Sequence, residues 1–109
     1  MHPFHGHIYF DLADMALAAQ VRQEIAVAIP SLTYVGQLIP KPIGPHSKPM
    51  FEIHIPAAQI DSAMQIIEQK RRGLSVLIHP VQADELDAHT DSARWLGTQL
   101  PLKLEVLPH

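Results

Sequence analysis

Short stretches of this chain alternate apolar and polar residues with a period of two, and longer stretches between them carry apolar residues every three or four positions. A period of two belongs to a strand with one face on a core; a period near 3.6 belongs to a helix with one apolar stripe. The order of these patterns leaves few folds. From Gly6 to Asp11, Ile8, Phe10 and then Leu12 fall on one face, and His5, His7 and Tyr9 on the other. Leu17, Val21 and Ile25 predict a helix from Asp14 to about Ala28, ended by Pro30. Ser31 to Leu38 is a second, less regular strand, favoured by Thr33, Tyr34 and Val35. A stiff loop rich in proline follows, from Ile39 to Pro49.

Met50 to Ile55 reads as a third strand, with Phe51, Ile53 and Ile55 opposite Met50, Glu52 and His54. Beyond Pro56, Ile60, Ala63, Met64 and Ile67 make a second helical stripe, with Gly73 as its stop. Leu74 to His79 is a fourth strand. Asp84 to Leu96 then predicts a third helix ended by Gly97, and Leu100, Leu102, Leu104 and Val106 predict a last strand. The order βαββαβ, followed by αβ, is that of an α+β ferredoxin-like sandwich with an additional C-terminal helix and strand. At 109 residues and 12.1 kDa, the chain makes one domain, 1–109. The sheet face away from the helices carries Tyr9, Met50, Leu77 and several histidines. Such an open face is expected to be covered by a second copy, giving a homodimer.

That face is where composition enters. The chain has eight histidines and no cysteine, so thiolate metal sites and disulfides are excluded. In the ferredoxin-like order the first strand lies between the third and fourth, both antiparallel to it. The start of strand one then meets the ends of the other two, which brings His5 and His7 beside His54 and His79, with Glu52 on the same face. Histidines with a carboxylate at one end of a sheet are the donors of a facial iron site. Bland readings exist for each: a solvated His5, a hydrogen-bonded His7, a surface pair of His54 with Glu52, and a strand-end hydrogen bond at His79. His89 could cap its helix, Trp95 reads as core, and the terminal His2 and His109 carry no signal. The formal charge of −3 argues against nucleic acid. No apolar run reaches membrane-span length, and the N-terminus lacks the pattern of a signal peptide, so a cytoplasmic location is the expectation.

His5-Gly6-His7-Ile8-Tyr9-Phe10-Asp11, Gly44-Pro45-His46, Met50-Phe51-Glu52 and the run from Arg72 to Pro80 resemble the DOPA 4,5-dioxygenase family. Asp84-Glu85-Leu86, His89-Thr90 and Trp95-Leu96-Gly97 are similar to it too, in the same order. The resemblance covers nearly the whole chain, and the segment from Arg72 to Gly97 is its most specific part. His54 has no counterpart in the family pattern. The resemblance implies extradiol cleavage of a catechol such as DOPA by O2, with Fe(II) as cofactor or another divalent metal such as Zn in its place. His5, His7, His46, His79 and His89 match the family's histidine positions. On this reading His7 and His79 hold the metal together with Glu52 or His5, while His46 or His5 moves protons. Lys48, His89 and Arg94 contact the substrate, with Lys41 a further candidate for its carboxylate. The loop of His46 lies at the far end of the sheet in one chain, so it would reach the site across the dimer. The rival readings are a dimer that binds a metal or small ligand without turnover, an interaction protein, and a haem-binding or cofactor-free monooxygenase.

Overall fold

A computed structural model describes residues 2–108; Met1 and His109 lie outside it. Its elements are β1 (Phe4–Tyr9), α1 (Met15–Ala28), β2 (Tyr34–Val35), β3 (Met50–Ile55), α2 (Ile60–Lys70), β4 (Val76–Pro80), α3 (Glu85–His89) and β5 (Arg94–Leu96). One five-stranded sheet has the order β2-β3-β1-β4-β5, and all its pairs are antiparallel. This is the ferredoxin-like α+β arrangement, widened by β5 at one edge. Among the described residues no helix is long and apolar enough to cross a membrane.

The core lies between the sheet and α1 and α2. Ile8, Phe10, Phe51, Ile53, Ile55, Val76 and Ile78 from the strands pack on Ala18, Val21, Ile25, Ala63 and Ile67 from the helices. Each fully buried isoleucine contributes on the order of 1.5–3 kcal/mol by leaving water. Period two puts these residues on one face, so their sequence neighbours His5, His7, Tyr9, Glu52, His54, Leu77 and His79 occupy the other. Gly6 is the gap in the apolar set. An added Cβ there would sit 2.9 Å from Cγ1 of Ile53, so glycine lets Ile53 lie across the central strand. At the end of α2, Arg72 and Gly73 take φ of 49° and 80°, the left-handed turn expected of a glycine stop.

The C-terminal third departs from the sequence expectation. The helix predicted over Asp84 to Leu96 ends at His89. Asp87 accepts from the Ser92 hydroxyl, the backbone N–H groups of Thr90 and Ser92 turn back to the Asp87 carbonyl, and the Thr90 hydroxyl bonds the Leu86 carbonyl. Short polar side chains compete here with the helical ladder. Arg94, Trp95 and Leu96 then pair with Ile78, Leu77 and Val76 as β5. The strand predicted over Leu100 to Val106 does not form: Pro101 removes a donor, β5 already holds that edge, and only a 3₁₀ turn, Leu104–Val106, is present. The second strand shrinks to Tyr34–Val35, followed by an isolated bridge from Ile39 to Met50. Leu12, expected on the apolar face, lies in a 3₁₀ turn and is exposed.

The face expected to be open is covered by the chain itself. Ile39, Trp95, Leu100 and Leu102 pack on Tyr9, Met50 and Leu77. Lys103 N donates to the Pro45 carbonyl at 2.7 Å, tying the C-terminal segment to the proline-rich loop. Tyr9, Met50 and Leu77 are thus covered within one chain. Replacing Gly6 with valine is expected to destabilise the fold by about 1–3 kcal/mol through overpacking against Ile53. A lower urea midpoint with unchanged slope is the measurement that checks it.

A histidine cluster at one end of the sheet

Strand register builds the site. Across β3, β1 and β4 the residues on this face form rows: His54, His5 and His79 in one, and Glu52, His7 and Leu77 in the next. Two segments without strand structure complete it from above. The proline-rich loop folds back so that the His46 ring lies 4.1 Å from that of His7, and α3 places the His89 ring 4.2 Å from that of His79. His46 thus reaches the cluster within its own chain, not across a dimer. The resulting cleft, about 200 Å³, is lined by His5, His7, Pro45, His46, Glu52, His79, Val81, Glu85, His89 and Leu107. At roughly 30 Å³ per water molecule it holds a small ligand, not a chain.

His7, His46, His79 and His89 are all buried. Burial, reinforced by neighbouring imidazoles, holds His7 well below its ordinary value. Burial is also the main cause that brings His46 and His79 down to about 4. His5, half-buried, is lowered first by desolvation and then by His54. Near neutral pH His5, His7, His46 and His79 are neutral, the state in which imidazole binds metal or accepts a proton.

Hydrogen bonds fix where protons sit. A carbonyl oxygen only accepts, so His79 Nδ1–H donates to Pro80 O at 3.0 Å and His89 Nδ1–H to Glu85 O at 2.7 Å. Neutral His79 therefore presents a bare lone pair at Nε2, 3.0 Å from Nε2 of His7. With no cation between the rings, His7 must donate its one proton there. Its Nδ1 is then a buried lone pair without a hydrogen-bond partner, the one such side-chain atom among the described residues. It sits 3.6 Å from a Glu52 carboxylate oxygen, an unfavourable pairing of acceptors. A cation at the Nε2 edge would displace the shared proton, and His7 would then carry its proton on Nδ1, toward the carboxylate. The donor atoms of His5, His7 and His79 all lie within 4.8 Å of one another. This donor set and the orphaned nitrogen both fit a divalent metal ion.

The geometry redistributes the roles drawn from sequence. His5, for which both a ligand's and a proton carrier's role had been drawn, groups with His7 and His79. Glu52 lies against the other nitrogen of His7, and its second oxygen is 2.6 Å from His54 Nε2, so it faces the back of that ring. His46 Nδ1 is 2.7 Å from the Tyr9 hydroxyl. His89 lines the cleft as expected, but Lys48 and Arg94 do not. Lys48 pairs with Asp11 at 3.2 Å, beyond the far end of β1. Arg94, opposite Ile78 in the register, faces the helices, with its guanidinium over the Phe4 ring. Among the described residues no lysine or arginine lines the cleft, Lys41 included. Sequence reasoning missed Glu85, Val81 and Leu107; Val81 directly follows the His79-Pro80 motif, which was the one signal available for it.

The sequence profile of the Dopa 4,5-dioxygenase family matches residues 4–106 of this chain. A DOPA 4,5-dioxygenase from Amanita muscaria is 31% identical over 113 aligned positions, which span 96% of this chain and 49% of that protein. An uncharacterised 21.2 kDa protein from Botryotinia fuckeliana is 39% identical over 75 positions, 62% of this chain and 41% of that one. The chain spans about half the length, or less, of these curated relatives. Among solved structures, a protein from Nostoc punctiforme provisionally described as a dioxygenase superposes with a TM-score of 0.84 at 34% identity, covering 97% of this chain and 90% of that one.

The lowered histidines set a pH window. Unfolded, they titrate near 6.5; folded, His46 and His79 titrate near 4. Between these values the unfolded state binds more protons, so stability is full above about 6.5 and is lost as pH falls toward 4. Chemical denaturation of the metal-free protein across that range is expected to show this loss, and to show less of it in His46→Gln.

Proposed function

The chain belongs to the Dopa 4,5-dioxygenase family, and on that premise we propose that it is a non-haem iron dioxygenase that opens a catechol ring with O2. The observation that carries the reading is the group of half-buried His5 with buried His7 and His79 at the floor of a small cleft, with neutral rings and an orphaned nitrogen that suits a bound cation. The relatives supply the reaction class; the donor set supplies a place for the metal.

On this reading His5, His7 and His79 hold Fe(II). When bound, the metal would supply a site where both catechol oxygens and O2 meet. The rest of the chemistry falls to side chains. His46 is neutral and hangs over His7. When its Nδ1 donates to the Tyr9 hydroxyl, Nε2 carries the lone pair needed to take a proton from a catechol hydroxyl. Tyr9 fixes the plane of that ring, and its buried phenol keeps its proton, because burial raises it above the ordinary range. His89, anchored to the Glu85 carbonyl, closes the side of the cleft next to His79. Leu107 and Pro45 limit water and the size of ligand admitted. Among the described residues no lysine or arginine lines the cleft, so none there would pair with a substrate carboxylate. A catechol whose acidic group projects out to solvent, or which has none, suits this site best.

The test is oxygen uptake by tag-free protein loaded anaerobically with Fe(II), against a panel of catechols with and without acidic side chains. The expected outcome is uptake with a yellow ring-opened product. His7→Ala and His79→Ala should each reduce it by about 10²-fold or more while the fold persists, since even outer partners of a metal ligand cost 10–100-fold. Bound iron without uptake would favour a binding module instead. Full activity in both variants would remove the assignment.

A further inference from the structure

We propose that His54 is a positioning residue for the candidate metal centre, acting on His7 through Glu52 and on His5 through ring stacking. The inference rests on the metal-binding reading above. His54 does not line the cleft, so its influence on the group of His5, His7 and His79 is exerted through its neighbours.

Two contacts give it that role. His54 Nε2 is 2.6 Å from one Glu52 oxygen, and the other Glu52 oxygen is 3.6 Å from the buried, otherwise partnerless Nδ1 of His7. A His7 ring with its proton on Nδ1, facing a carboxylate, keeps Nε2 free on the cleft side, where His79 Nε2 also lies. That tautomer is the one that binds a metal. Glu52 is partly exposed and has several rotatable bonds, so without a tether it would turn toward water. The bond to His54 holds it in place.

The second contact is a stack. The His54 and His5 rings lie 3.9 Å apart and within 9° of parallel, while Tyr34 covers the other side of His54 at 4.6 Å. This order follows from register, because Tyr34, His54 and His5 are direct cross-strand partners on β2, β3 and β1. The row braces His5 from outside the cleft, and Glu52 links the same brace to the next row. One residue therefore orients two of the three candidate ligands. An ordinary surface ion pair would instead affect stability slightly and metal affinity not at all.

The experiment measures affinity of the tag-free protein for Zn(II) by competition with a chromogenic chelator, and the visible spectrum of its Co(II) form. Wild type is compared with His54→Phe, which keeps a stacking ring but loses the donor, and with His54→Gln, which can donate to Glu52. The expected result is an affinity loss of about 10-fold or more in His54→Phe with altered Co(II) bands, and partial recovery in His54→Gln. Metal-free melting temperatures should stay close to wild type in both. Wild-type affinity and spectrum in His54→Phe, or no recovery in His54→Gln, would overturn the positioning role while leaving the metal centre intact. No metal uptake by wild type would overturn both.

Discussion

The pairing register of β1 is the constraint on which the rest depends. This strand runs through the middle of the sheet, with β3 on one side and β4 on the other. Its even-numbered residues complete the core against two helices; its odd-numbered residues, His5, His7 and Tyr9, supply the opposite face. A slip of one residue would put imidazoles into the apolar layer and Ile8 and Phe10 into the cleft. Core and site are thus specified by the same hydrogen bonds. The apolar burial that stabilises the sheet also holds His7 between Glu52 and His79.

Burying histidines together costs their ring nitrogens hydration, which the structure meets in part with local hydrogen-bond partners. His79 and His89 each donate to a main-chain carbonyl, and His46 is bonded to the Tyr9 phenol. Among the described residues only His7 keeps a fully buried side-chain nitrogen without a partner, and it is the ring at the centre of the group. The frustration is concentrated at one atom, beside the one carboxylate that could relieve it. Buried polar groups in folded proteins are nearly always satisfied, so an exception is where function is expected.

Much of this was legible in the sequence, for a physical reason. Strict period two at Gly6–Asp11, Met50–Ile55 and Leu74–His79, combined with the βαββαβ order, is enough to place His5, His7, Glu52, His54 and His79 on one face at one end. The cover over that face was not legible. The proline-rich loop has no periodicity to show which way it folds, so His46 was placed at the wrong end. The alternation at Leu100 to Val106 imitates a strand, although Leu100 and Leu102 pack on Tyr9, Met50 and Leu77 without joining a ladder. Lys48 and Arg94 were chosen for charge alone; register puts Arg94 on the helix side, and Asp11 holds Lys48 away. Side-chain parity does not tell which nitrogen of His7 the Glu52 carboxylate faces.

The floor and the roof of the cleft are made of different kinds of chain. Floor residues are locked in a ladder, where any insertion shifts every neighbour. Pro45, His46 and Leu107 stand on segments outside the ladder, joined to each other through the bond from Lys103 N to the Pro45 carbonyl. Loops of this sort accept changes in length that strands do not. The two parts are therefore free to diverge at different speeds: a fixed imidazole floor can persist beneath roofs of varied shape. The cover over the histidine cluster can change from one homologue to another while the cluster itself stays the same.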